Sequence, residues 1–182
     1  MLVRRTSVAS RTMRGAPRLI LVASLLGTPA AGCAAQEKAV PKPEFETRIE
    51  LKTPSGVAAR EFPAGAAITF AVTIKNQADA ARTLTLPTGQ THDVVVMDAG
   101  HKEVWRYSRG RMFAQVIVDL TLKPGESRSY TTTWDQTDVK GKALPPGDYE
   151  AVGLVPGGAP GCRSESVPFA IRPSASGKPA AP

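Results

Sequence analysis

A chain of 182 residues, 42% of them apolar, has room for one domain with its own core, and two cysteines are too few for a disulfide-stapled scaffold. Five of the 23 basic residues precede Cys33, which leaves the remainder near neutral, with no stripe of Lys and Arg interleaved with aromatics. That balance excludes a nucleic-acid surface.

The first 32 residues hold Arg4, Arg5, Arg11, Arg14 and Arg18 and no acidic residue. Next comes the apolar run Leu19 to Leu26. It is far shorter than the roughly 20 residues of a spanning helix and has the length of a signal-peptide core. Met13 is a second candidate start, since the stretch from there to Cys33 is by itself a signal of ordinary proportions. Arg4 and Arg5 then form only a weak twin-arginine pattern. Ala30, Ala31, Gly32 and Cys33 resemble the lipobox of bacterial lipoprotein signals, with Ala30 where Leu or Val is usual. The expectation is a signal peptide over 1–32, lipidation at Cys33 and a membrane-anchored protein of the cell envelope. Ala34 is not the Asp of an inner-membrane retention signal, which favours the outer membrane, facing the periplasm, where two membranes exist. The alternative is cleavage a few residues away and a disulfide between Cys33 and Cys162.

Residues 33–44, rich in Lys, Pro and Ala, read as a flexible tether reaching roughly 35 Å. All ten aromatic residues lie between Phe45 and Phe169, and aromatic side chains dominate core burial. The folded domain is therefore expected over 45–172. The tail 173–182 has no apolar periodicity and reads as disordered.

Within the domain the period is two. Phe45, Thr47, Ile49 and Leu51 alternate with Glu46, Arg48, Glu50 and Lys52, the pattern of a strand with one dry face. Ile68 to Ile74 repeats it. Further strands are expected over 83–86, then 93–97 and 102–107 as a hairpin about the turn Asp98, Ala99, Gly100. The remaining expected strands cover 114–122, 127–134, 148–154 and 167–172. Eight or nine short strands with turns about every ten residues predict an all-β fold, an immunoglobulin-like two-sheet antiparallel β-sandwich.

From Leu84 to Leu154 the sequence resembles a known family. The segments LTLPTGQTHDVVV, KEVWRYSRGRMFAQ, LKPGESRSYTTTWD and LPPGDYEAVGL, in that order, are similar to the intracellular proteinase inhibitor family, BsuPI. Trp105 to Phe113 with Ser108 and Gly110, the turn Pro124, Gly125, Glu126 leading to Trp134, and Pro146, Gly147, Tyr149 carry the likeness. The resemblance implies an immunoglobulin-like fold and a serine protease of subtilisin type as partner. The export signal departs from the family's intracellular label, so a cytosolic target does not follow.

Catalytic patterns are missing: the chain has two histidines, His92 and His101, and no nucleophile elbow, SxxK, HExxH or phosphate loop. His92 and Asp93 are neighbours whose side chains point to opposite strand faces, and both histidines are expected to be exposed at strand ends. A metal site from His92, Met97, His101 and Met112 is disfavoured because His92 and Met97 have opposite parity unless a bulge intervenes. No cofactor and no metal are expected.

The loop Tyr107, Ser108, Arg109, Gly110, Arg111, Met112, Phe113 is the candidate protein-binding surface: a Gly, two cations and flanking aromatics between two strands. Tyr107 or Met112 would fill an apolar pocket of a partner, against the alternative that Trp105, Tyr107 and Phe113 pack into the core. Two readings remain. One is a monomeric, lipid-anchored inhibitor of a serine protease; the other is a non-inhibitory β-sandwich adaptor or structural lipoprotein of the envelope.

Overall fold

The computed structural model describes residues 42–174, so Cys33, the expected signal and most of the tether and tail lie outside the described residues. Ten strands and no helix occur among them: β1 Phe45–Lys52, β2 Glu61–Pro63, β3 Ile68–Asn76, β4 Arg82–Leu86, β5 Asp93–Asp98, β6 Glu103–Arg106, β7 Val118–Leu122, β8 Ser127–Trp134, β9 Gly147–Leu154 and β10 Val167–Arg172. One sheet has the order β1-β3-β8 and the facing sheet β2-β10-β9-β5-β6, while β4 and β7 form a two-stranded ladder.

Alternation along β1 and β3 sets what the first sheet buries, whereas β5 is buried at four successive positions. In β1 Phe45, Thr47, Ile49 and Leu51 are buried, and in β3 Ile68, Phe70, Val72 and Ile74 are wholly so. Each such Leu, Ile or Phe stabilises the fold by about 1.5–3 kcal/mol relative to exposure. The two sheets meet through aromatic rings. Phe70 lies 6.1 Å from Trp105 and 6.5 Å from Phe169, and Trp134 lies 5.4 Å from Trp105. Tyr149, near the start of β9, donates its hydroxyl proton to the Pro145 carbonyl at 2.8 Å, the tyrosine-corner arrangement of immunoglobulin-like sandwiches.

Three features differ from the sequence expectation. A tenth strand, β2, joins by parallel pairing to β10, with Ile171 opposite Phe62; three residues are too few for alternation to be read. The strand expected from Ala114 begins only at Val118, because β7 pairs with β4 from Leu86 opposite Val118 onward. The third is the separate β4–β7 ladder.

Two buried amides fasten the turns. The Asn76 side chain donates to the carbonyls of Ala80, Leu122 and Lys123 and accepts from the Ala78 amide. Gln136 donates to the carbonyls of Pro63 and Ala66 and accepts from the Gly65 amide at 2.8 Å. Each group so paired would otherwise be desolvated without a partner.

Candidate functional site

The site begins in the β5–β6 hairpin. Its turn is fastened by the Asp98 carboxylate, which accepts from the amides of Gly100 and Lys102, and His101 holds a left-handed backbone there. The register slips between Val96 and Met97, so that Val95 stands opposite Arg106. One step beyond, Tyr107 donates its amide to the Val94 carbonyl at 2.9 Å, and the chain then turns away.

Asp93, buried at the start of β5, fixes that turn. One carboxylate oxygen accepts the amides of Val94 (2.9 Å) and Ser108 (3.0 Å), and the other accepts the Ser108 hydroxyl (2.8 Å) and the Arg106 guanidinium (3.0 Å). Arg106 also pairs with Glu103, and first this bond and then the one to Asp93 raise its pKa further above the ordinary arginine value. Gly110 closes the turn at φ +76°, a conformation that disfavours L side chains.

The ring of Tyr107 belongs to a cluster of stacked groups. Arg111 sits over its face at 4.4 Å, His92 stacks on it with ring centres 4.7 Å apart, and Tyr130 stacks on His92 at 5.5 Å. His92 is therefore buried, contrary to the exposed strand end expected of it: the chain before β5 tucks beneath the loop that follows β6. Its Nδ1 meets the Thr91 hydroxyl at 3.1 Å and its Nε2 is enclosed without a partner. Burial pushes the imidazole below the usual histidine range; Asp93 pulls the other way, and the Arg111 cation lowers it further.

The seven residues of the candidate loop thus fall into different roles. Tyr107, Ser108, Arg109 and Arg111 are all engaged, Arg109 with Glu103. Trp105 packs on the core, and Phe113 is half-buried. Met112 is 99% exposed, and beyond it Val116 (52%) and Ile117 (73%) are exposed as well. Sequence reasoning missed Asp93 and Glu103 as the residues that hold this loop.

The metal candidates are dispersed in role: His92 is stacked between tyrosines, His101 is exposed with Glu150 at 3.5 Å, and Met112 points to solvent. The loop VPGGAPGC, residues 155–162, folds back on itself through a bond from the Val155 amide to the Cys162 carbonyl. Cys162 is buried, and burial raises its thiol pKa.

The arrangement is a β-sandwich that presents a fastened, partly apolar loop. Residues 56–159 match the intracellular proteinase inhibitor family, BsuPI, and the chain belongs to that family. No curated protein matches the chain at a significant level. Among solved structures it is similar to a β-glucosidase from Listeria innocua (16% identity, TM-score 0.39, 72% of this chain and 16% of that one). It is also similar to the alkylpurine DNA glycosylase AlkC of Pseudomonas fluorescens (17%, 0.42, 72% and 31%) and to the C-terminal domain of wzt (12%, 0.47, 73% and 76%). The chain spans less than a third of the first two proteins, and likenesses this distant decide nothing about its function.

Proposed function

We propose that this protein inhibits a serine protease of subtilisin type at the cell envelope, meeting it through residues 107–113 while held to the membrane by lipid on Cys33. The observation that carries the reading, beside family membership, is the Asp93–Ser108 fastening of the loop. A loop fixed before encounter loses little conformational freedom on binding, and a protease groove takes an extended segment and reads one or two of its side chains in pockets. The domain acts as a monomer and is not consumed. Residues 33–44 give it roughly 35 Å of reach from the anchor.

The test is residual protease activity against increasing concentrations of the purified protein, with subtilisin-like, chymotrypsin-like and trypsin-like enzymes in parallel. Saturable loss of subtilisin activity with the inhibitor left uncleaved supports the reading. A flat response at micromolar protein overturns it and leaves an adaptor role in the envelope.

A further inference from the structure

Resting on that reading, we infer that Met112 is the side chain that selects the target, and that the target's specificity pocket is deep and apolar rather than acidic. The sequence alone points elsewhere, since Arg109 and Arg111 would suit a protease that cleaves after cations. In the structure neither cation is free: Arg109 is paired with Glu103, and Arg111 lies on the Tyr107 ring. Withdrawing either into a pocket would break these contacts and, for Arg111, uncover the stack over His92.

The remaining side chains are excluded in the same way. Tyr107 is in contact with both Arg111 and His92, and Ser108 is bound to Asp93 by both its amide and its hydroxyl. Phe113 is half-buried, and its carbonyl accepts from the Gln115 side-chain Nε2 at 3.2 Å. Met112, at 99% exposure, is the large apolar side chain of the seven that stands almost wholly in water. It is long, unbranched and soft, so it adapts to a narrow apolar pocket without distorting the loop.

The chain around it suits a groove. Among the described residues from 112 to 117, the one backbone group bonded to another backbone group is the Ala114 carbonyl, which accepts from Gly89 at 2.8 Å. Apart from the Phe113 carbonyl, which the Gln115 side chain holds, no other backbone group of this stretch is tied to another part of the described chain, which leaves it suited to strand-like pairing, and Val116 and Ile117, a few residues on, are exposed as well. Three of the five large hydrophobic side chains exposed among the described residues, Met112, Val116 and Ile117, fall in this stretch.

Inhibition constants of the full-length protein and its Met112→Ala and Met112→Lys variants against subtilisin, chymotrypsin and trypsin test this, with Val139→Ala, exposed on another loop, as the control. The wild type is expected to inhibit subtilisin or chymotrypsin and not trypsin. Met112→Ala should weaken inhibition about 30-fold or more, and Met112→Lys should transfer it toward trypsin. Because Met112 touches little, all variants should keep the wild-type melting temperature. Full inhibition by Met112→Ala, or trypsin inhibition by the wild type, would overturn the inference while leaving the protease reading intact. No inhibition of any of the three by the wild type would remove both.

Discussion

Ser108 donates both its backbone amide and its hydroxyl to the carboxylate of Asp93, fifteen residues earlier in the chain. Through this one pairing the start of β5 dictates the path of the chain after β6. Replacing Asp93 by Ala should therefore do two things at once. It strips partners from Ser108, Val94 and a part-buried arginine, which should cost about 2–4 kcal/mol in urea denaturation. It should also make the peptide bonds from 107 to 113 susceptible to proteolysis in the still-folded protein. Ser108→Ala, which removes one hydroxyl, should cost about 1 kcal/mol and leave the loop path intact.

Acid should loosen the same region through His92. The folded imidazole binds its proton more weakly than in the unfolded chain, so unfolding takes up a proton between the two pKa values. Stability is full above the unfolded value of about 6.5 and declines as the pH falls toward the lower folded value. Asp93 and Arg111 are the charged groups that act on the ring, and Thr91, Tyr107 and Tyr130 also meet it. His92→Phe keeps the stack and removes the proton. Denaturation at pH 7.5 and 5.5 should show a larger loss for the wild type than for this variant; equal losses would place the titrating group elsewhere.

Gly161 lies where no other residue fits. A Cβ there would stand 1.7 Å from the Phe45 carbonyl oxygen, at φ +87°. Gly161→Ala should displace the start of β1 and lower stability by about 2 kcal/mol or more. Gly158, also at positive φ but facing open space, should tolerate Ala at a cost of about 1 kcal/mol. Thermal melts of the two variants compare strain with and without a clash.

Gln136→Leu should be among the most harmful single changes in the turns. It leaves the Gly65 amide and the carbonyls of Pro63 and Ala66 without their partner, at about 2–4 kcal/mol, and should raise hydrogen exchange at Gly65 first.

At the N-terminal side, Cys33→Ser should leave uncleaved precursor or release soluble protein. The intact mass of the processed wild type should exceed the peptide mass by the added acyl chains. An unmodified N-terminus at another residue would contradict lipidation.

How much of this was legible in the sequence depended on whether the cause was local. Alternation exposed β1 and β3 because one face of each is dry, and the Asp98–Gly100 turn exposed the hairpin. The partner of Asp93 was hidden by the bulge. Counting outward from the turn with Met97 opposite Glu103 sets Asp93 against Tyr107, and only the slip at Val96 moves it to Ser108. Burial of His92 and the clamp of Gln136 depend on segments 15 to 73 residues away, which no local period encodes. Met112 was named, but its separation from Tyr107 as the free member of the pair required the stack to be seen.

The register of β9 also fixes which way the domain faces. Asp93 stands opposite Leu154 at one end of that strand, and Ile171 stands opposite Gly147 at the other, about 23 Å away at 3.3 Å per residue. Gly161, whose loop shares a cleft with Asp93 and Arg106, abuts Phe45, where the chain enters β1. The entry and the loop 107–113 therefore occupy one pole of the sandwich, and the exit after Arg172 occupies the other. A bulky carrier joined directly to Phe45, without the spacing of residues 33–44, would crowd the loop 107–113, whereas the same carrier joined beyond Arg172 would leave that pole open.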